Sequence, residues 1–497
     1  MRTFPSNCAR TLACLLLLAG TQSLLAAERP ATVLLVTDAS LGEAWQTLAD
    51  WKTRSGKATK IVATADIEKR YKGKDVQEKI RKCVLDHIEN HGTRWVILGG
   101  DSQPDAEGHV PDRDTPHVVY GRMRYPKIPS DVYYLSRKDW DANDDGVYGK
   151  WDDDRKEIEY THPKASIGRI PVRTPADVKA YTEKVIGYES KYPTKSFARK
   201  MVYTCPVPHA YPKLGTSQKE VAAVWNEEKV EPFFANHKDK KLTPENWKSL
   251  LNDRGAGKLH MHGHGHLPVW VLDRHKTVYS RAVGSLKNVD AYPVITTVSC
   301  FTGHFDAKQD PSITESMIRK DAGGAIAIIA PARHGIPIFA NPRDMAKMAT
   351  GTMDGTTMLL TDFWKAGLKD NLTIGEAVAA AKQKMSKAAS EHSGYHFVLC
   401  ELNLLGDPSL DIRSADPVNL KVKAPKSIPT GTSVVNVATG KPGMTVCLWK
   451  GDEAYATAVT DKDGTANLTV APTSAGKMLL TVTGPNANTY TGQIAVK

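Results

Sequence analysis

Residues 31–39 read ATVLLVTDA, an apolar run of strand-forming residues, and the pattern that follows it decides the fold. Residues 40–56, SLGEAWQTLADWKTRSG, are helix-like, and 57–65, KATKIVATA, return to strand character. A charged helix at 75–92, DVQEKIRKCVLDHIENHG, leads into the strand RWVILGGD, which ends at Asp101. A strand that is apolar throughout needs cover on both faces, and strand and helix alternating at this spacing specify an α/β fold with a parallel sheet covered by helices.

Beyond Asp101 the pattern is interrupted by a polar, proline-bearing, Asp-rich insertion at 102–161, then resumes with KASIGRIPV and a helix at 174–192. A second set opens with the strand RKMVYTCPV at 199–207. It continues through helices at 221–234 and 244–251, KLHMHGHG, the strand YPVITTVSC at 292–300, a helix at 311–324, the strand AIAIIAPA, and helices at 357–368 and 373–389. From about Ala415 the texture changes to seven short runs, NLKVKAP to YTGQIAVK, separated by Gly, Pro, Asn and Asp; this describes a β-sandwich of immunoglobulin type. The chain thus divides into 1–27, 28–195 with the insertion, 196–414, and 415–497.

The first 27 residues place Arg2 and Arg10 ahead of an apolar run and end in Ala26-Ala27, the pattern of a secretory signal peptide. No later stretch approaches the ~20 apolar residues of a membrane span, so an exported protein without an integral membrane segment is expected. The net charge of +11 is spread among acids and forms no basic block with interleaved aromatics, which argues against a nucleic-acid partner. Seven cysteines become five once the signal is removed, an odd number that leaves at least one thiol without an intrachain partner.

KLHMH reads as a strand and GHGH as a turn beyond it, which sets His264 on a loop at a strand's carboxyl end; YPVITTVSC places Cys300 the same way. Sites in open α/β sheets gather outside those ends, so neighbouring strands would make His264 and Cys300 a dyad. An imidazole beside a thiol raises the thiolate population or takes its proton, then protonates an amine leaving group. The main-chain N–H groups of Gly265 and Cys300 are candidates for an oxyanion hole.

HGHGHLPVW, VITTVSCFTGHF, GGAIAIIAPARHGIP, LLGDPSL and the trailing β-rich segment occur in an order that resembles the gingipain family of cysteine peptidases. That resemblance implies a caspase-like fold, Cys300 as nucleophile, His264 as general acid/base, an acyl-enzyme intermediate, and protein or peptide substrates. The chain departs from the family at His304, where the best-known members carry Asp. Where an acid that orients the histidine is expected, Lys164 stands, with Asp131 as a substitute; His262 occupies a position that lines the specificity pocket in relatives. The long propeptide of well-studied members has no counterpart between the signal and the first strand.

Within the insertion, Asp141, Asn143, Asp145, Gly146, Val147 and Asp152 follow D-x-N-x-D-G with an acid at position 12. Oxygen donors at 1, 3 and 5, a carbonyl at 7 and a carboxylate at 12 suit calcium in a loop site. Two rival readings remain. In one, the alternating His260, His262, His264 and His266 ligate the zinc of a metallohydrolase, although no H-E-x-x-H follows. In the other, the fold is kept without catalysis as a secreted binding or adhesion protein.

Overall fold

A computed structural model of the chain describes residues 30–119, 123–191, 197–198, 200–205, 230–234, 241–273, 275–308, 311–335 and 355–497. The signal-peptide reading of 1–27 lies outside these residues, as does 221–229 of the helix expected at 221–234.

The opening run forms β1 (Val33–Thr37), buried at every position, followed by α1 (Gln46–Arg54) and β2 (Thr59–Ala63). Next come α2 (Val76–Asn90), capped by the Asp75 side chain on Glu78 N, then β3 (Trp95–Gly99). β4 (Ser166–Ile170) resumes the sheet, and α3 (Pro175–Ser190) starts at a Thr174–Asp177 capping box with Pro at its first position. The second set supplies β5 (Met201–Cys205), β6 (Val230–Phe234), α4 (Pro244–Asn252), β7 (Lys258–Met261), β8 (Val294–Thr297), α5 (Ile313–Arg319) and β9 (Ala327–Pro331). α6 (Gly355–Lys369), α7 (Ile374–Glu391) and α8 (Ser393–Glu401) precede β10 (Leu402–Gly406).

These strands form one ten-stranded sheet in the order β2-β1-β3-β4-β10-β9-β8-β7-β5-β6. It is parallel within each half, but β10 runs antiparallel to β9, so the two halves meet across a reversed junction. One expectation changes here, and one strand has no forecast in the sequence. Residues 230–234, read as the end of a helix, are a strand parallel to β5. The strand that joins the halves follows α8 without a turn signal, because FVLCELNLLG carries no Gly or Pro before Gly406 and only the neighbouring strands fix its helix-to-strand change. β1, β3, β4, β7, β8, β9 and β10 are buried at every position, not alternately, as helical cover on both faces requires, while the edge strand β2 is half-buried.

Residues 427–496 form seven strands in two sheets, one of five strands and one pairing Ser433–Ala438 with Thr465–Val470, around a separate apolar cluster. The expected strand NLKVKAP is extended chain, with Lys423 bridged to Ala438 and Leu420 and Val422 packed on that cluster. These two sheets seat on α1 and α3: Cys447 Sγ donates to Thr53 O at 3.5 Å, and Thr489 Oγ1 donates to Glu189 O at 2.7 Å. Gly56, at φ 89°, leaves room for Thr445, whose Cγ2 would lie 2.7 Å from an added Cβ. Among the described residues no helix is long and apolar enough to cross a membrane.

Lys52 of α1 is fully buried, with its ammonium 2.6 Å from Asp407 and 3.1 Å from Glu189, and so ties α1 to α3 and to the turn after β10. Removing one partner of a buried ion pair leaves the other charge uncompensated. Lys52→Met is therefore expected to cost ~3–5 kcal/mol in urea unfolding.

Candidate active site

β7 and β8 are adjacent and parallel with Met261 beside Thr297, and β9 lies parallel on the other side of β8. All three strands end at one edge of the sheet. His264 stands three residues past the end of β7, Cys300 three past the end of β8, and the segment Ala332–Gly335 follows β9.

The two loops touch through glycine. A Cβ on Gly265 would lie 2.7 Å from Thr302 Cγ2, 2.8 Å from Ser299 Cβ and 2.9 Å from Cys300 O, closer than side chains tolerate. The backbone beside His264 therefore lies against the turn that carries Cys300. The third loop braces that turn: Phe301 N donates to Arg333 O at 2.6 Å and Gly303 N to Pro331 O at 2.9 Å. A Cβ on Gly335 would meet Val298 O at 2.0 Å. Phe301 is held at φ 57°, a left-handed conformation uncommon for a bulky residue and typical of strained functional turns.

The four histidines separate. His260 is buried, its Nδ1 2.8 Å from Thr296 Oγ1, and burial pushes it down to about 3. His262 is half-buried, while His264 and His266 are exposed. Among the described residues no group of three or more His, Cys, Asp or Glu converges to hold a metal ion. The rings of His266, His304 and His334 surround Phe301, with centroids at 5.9, 5.8 and 4.5 Å. His304 lies 3.3 Å from Asp306; burial drives it down to about 4 against the pull of that carboxylate.

Burial, then the charge of Glu401, push the Cys300 thiol up, while the N–H groups of Gly335 and of Cys300 itself favour the thiolate. Glu401 is fully buried at the end of α8 and accepts from Arg333 N at 3.2 Å; burial pushes its carboxyl well up. Arg333 in turn grips Asp306 through two bonds of 2.9 and 2.6 Å. Glu401, Arg333 and Tyr125, whose hydroxyl bonds His334 Nδ1, belong to this surround and carry no local sequence signal.

Asp131 does not serve as the orienting acid. It is buried and spends both oxygens on Arg169, at 2.8 and 2.6 Å. Lys164 pairs with Glu89. No carboxylate among the described residues bonds the His264 ring.

In the Asp-rich loop, Asp141 is buried and accepts from Asp145 N at 2.9 Å and Gly146 N at 3.2 Å; Asp145 accepts from Val147 N at 2.8 Å. The expected closing ligand, Asp152, points to solvent. The carboxylate turned back onto the loop is Asp154, two residues later, which accepts from Ala142 N at 2.8 Å and Lys150 N at 2.9 Å. The short helix Trp151–Asp154 rotates position 12 outward and position 14 inward. Burial, with Asp141 and Asp145 nearby, pushes the Asp154 carboxyl up. The Lys74 ammonium lies 3.2 Å from Asp141 and also contacts Asp144.

With this geometry in place, the family model of peptidase family C25 matches residues 26–413. The chain belongs to peptidase family C25. Gingipain R1 of Porphyromonas gingivalis is 22% identical over 468 residues, 88% of this chain and 40% of the relative. Gingipain R2 of the same species is 22% identical over 477 residues, 90% of this chain and 55% of the relative. The chain thus spans about half or less of the curated relatives it matches. A crystal structure of the Arg-specific cysteine proteinase gingipain R superposes with TM-score 0.69 at 20% identity, covering 95% of this chain and 99% of the other. A complex of the pro- and mature domains of a P. gingivalis gingipain also gives 0.69, at 18% identity, over 94% and 100%. These C25 structures share the fold, with its large, mostly parallel sheet.

The thiol's surroundings predict a distinct pH profile for this C25 member. Burial and Glu401 place the free thiol above the ordinary value of about 8.5, so alkylation of Cys300 by iodoacetamide is expected to be slow at neutral pH and still rising at pH ~9. A plateau reached below neutrality contradicts this assignment.

Proposed function

We propose that the chain is an exported cysteine endopeptidase in which Cys300 is the nucleophile and His264 the general acid/base. The supporting observation is the glycine-only contact of Gly265 with residues 299–302, which sets the His264 loop against the thiol turn. His264 takes the thiol proton as sulfur attacks the scissile carbonyl carbon, and the N–H groups of Gly265 and Cys300 face the developing oxyanion. The C–N bond then breaks, His264 gives its proton to the departing amine, and an acyl-enzyme remains. Water deprotonated by His264 attacks the thioester; the acid product leaves and the sulfur regains its proton. A thiol that is neutral in the free protein suits this order, in which the base acts during attack and no ion pair is needed beforehand.

Residues 1–27 act in this reading as the export signal. The large sheet is of caspase-like type, with residues 28–195 and 196–414 as its two halves, and 415–497 are an immunoglobulin-like module. Cys300→Ala is expected to abolish hydrolysis of a mixed peptide library, and His264→Ala to lower kcat/KM by ~10²–10⁴-fold. The exposed, carboxylate-free His264 ring favours a second reading, a binding protein that keeps the fold without turnover. An electrophilic peptide probe separates the two: rapid labelling of Cys300 that His264→Ala abolishes belongs to the peptidase, slow labelling indifferent to that change to the binding protein.

We also propose that calcium binds the Asp-rich loop by a rearrangement that frees Asp141, Asn143 and Asp145 from their contacts with backbone N–H groups and Lys74 and gathers them with the Val147 carbonyl and with Asp154, in place of Asp152. Hard oxygen donors suit this ion, and its charge relieves the crowding of Asp141, Asp145 and Asp154, displacing Lys74. Bound calcium neutralises the loop and stiffens it. Adding calcium after chelation is expected to raise Tm by ~2 °C or more, an effect that Asp154→Asn removes and Asp152→Asn leaves.

A further inference from the structure

A cleft of about 640 Å³ is walled by His117, Val118 and Tyr125 of the hairpin formed by His117–Val119 and Met123–Tyr125, by Val147 and Trp151, and by Ser393 at the start of α8. Its lining is mostly apolar, with Arg124, Lys150 and Asp152 as its charged members: Val118 and Val147 are 41% and 38% exposed, unusual for large aliphatic side chains. Tyr125 packs on Phe397 at 5.2 Å and His117 on Phe397 at 5.5 Å, so that wall is rigid and aromatic. Burial pushes His117 down to about 4, leaving its ring uncharged at neutral pH. Trp151 is fixed by a 2.8 Å bond from Nε1 to Ala389 O.

The cleft is linked to the thiol site through one wall residue, Tyr125. Tyr125 lies in its wall and bonds His334, with ring centroids 5.7 Å apart; His334 stands edge-on to Phe301 at 4.5 Å, and Phe301 follows Cys300. An extended peptide advances ~3.3–3.6 Å per residue, so a substrate chain leaving the thiol reaches Tyr125 within about three residues. The volume lies in the ~300–1,000 Å³ range of built ligand sites, enough for two or three side chains.

We propose that this cleft is a substrate subsite that binds an apolar segment of a polypeptide about three residues from the scissile bond. The inference rests on the peptidase reading and deepens it: selectivity resides partly away from the bond that is cut. The Asp-rich loop takes part directly, because Val147 offers its side chain to the cleft and its carbonyl to the proposed calcium. Ordering of that loop therefore acts on affinity for extended substrates and not on the thiol.

The test uses full-length protein carrying Cys300→Ala and two fluorescein-labelled octapeptides, one with two adjacent leucines and one with serines in their place, read by anisotropy. Burying one leucine predicts at least ~tenfold tighter binding of the leucine peptide, and Val118→Asp with Val147→Asp is expected to erase that preference. Equal binding of the two peptides, or a preference that survives the substitutions in a protein with unchanged Tm, overturns the proposal. So does a concentration-dependent increase in mass lost on Val118→Asp, which assigns the face to a second copy of the chain. In protein with Cys300 intact, the same substitutions are expected to raise KM for reduced casein by about tenfold, with kcat and iodoacetamide labelling unchanged. Casein cleavage that persists in Cys300→Ala sinks the peptidase reading, while the anisotropy arm still decides the cleft.

Discussion

Three parallel strands that end level with one another are the constraint on which the site depends. Hydrogen-bonded register between β7, β8 and β9 fixes Met261 beside Thr297, and so carries His264, Cys300 and Gly335 out of the sheet at one edge. From there the spacing is set by backbone contact. Gly265, Gly303 and Gly335 each leave no room for a Cβ, and the three loops lock by main chain against main chain. A side chain at any of these positions pushes the loops apart before it disturbs any functional group, which is why glycine is the structural residue of this edge.

The rest of the large domain serves to hold that edge still, and much of the holding is done by buried cations. Lys184 donates to the carbonyls of Met317, Ile318 and Ala325 at 3.0, 2.5 and 3.3 Å, tying α3 to the end of α5 and the start of the strand region before β9. Lys258, at the start of β7, donates to Ala198 O and, at 2.6 Å, to Arg413 O. Burial pushes both down to about 7. Carbonyls satisfy their donors but supply no countercharge, so these lysines bind distant segments at a desolvation cost that only a rigid surrounding sheet offsets. Arg169 does the same for the Asp-rich insertion, joining Asp131 to the carbonyls of Gly100, Val110 and Pro111.

That commitment explains why the site was only partly legible beforehand. The placement of His264 and Cys300 just past two strand ends could be read because glycine and strand termination are local signals. Asp131 was a reasonable partner for an imidazole by type, yet Arg169 in the neighbouring strand claims both its oxygens, and nothing near either residue in sequence announces the pair. Asp152 fits a twelve-residue spacing, but the helical turn at 151–154 rotates it outward and turns Asp154 inward, a change of 200° across two residues at helical pitch. Glu401, Arg333 and Tyr125 reach the thiol's surroundings from three separate segments, so their grouping exists only in the folded chain.

By itself the sequence determined what local periodicity and turn chemistry can encode: apolar strands alternating with helices, the capped starts of those helices, the change to short strands after residue 415, and glycines flanking one histidine. It also carried enough family signal to match peptidase family C25 over residues 26–413. Only the tertiary structure decided that the two α/β halves fuse into one sheet through a reversed junction at β9 and β10, which residues ring the thiol, and that a mostly apolar cleft is linked to it through Tyr125. The physical reason is that strand order and side-chain partners are set by non-local pairing and by competition for buried hydrogen bonds. Neither leaves a mark on the residues adjacent in the chain.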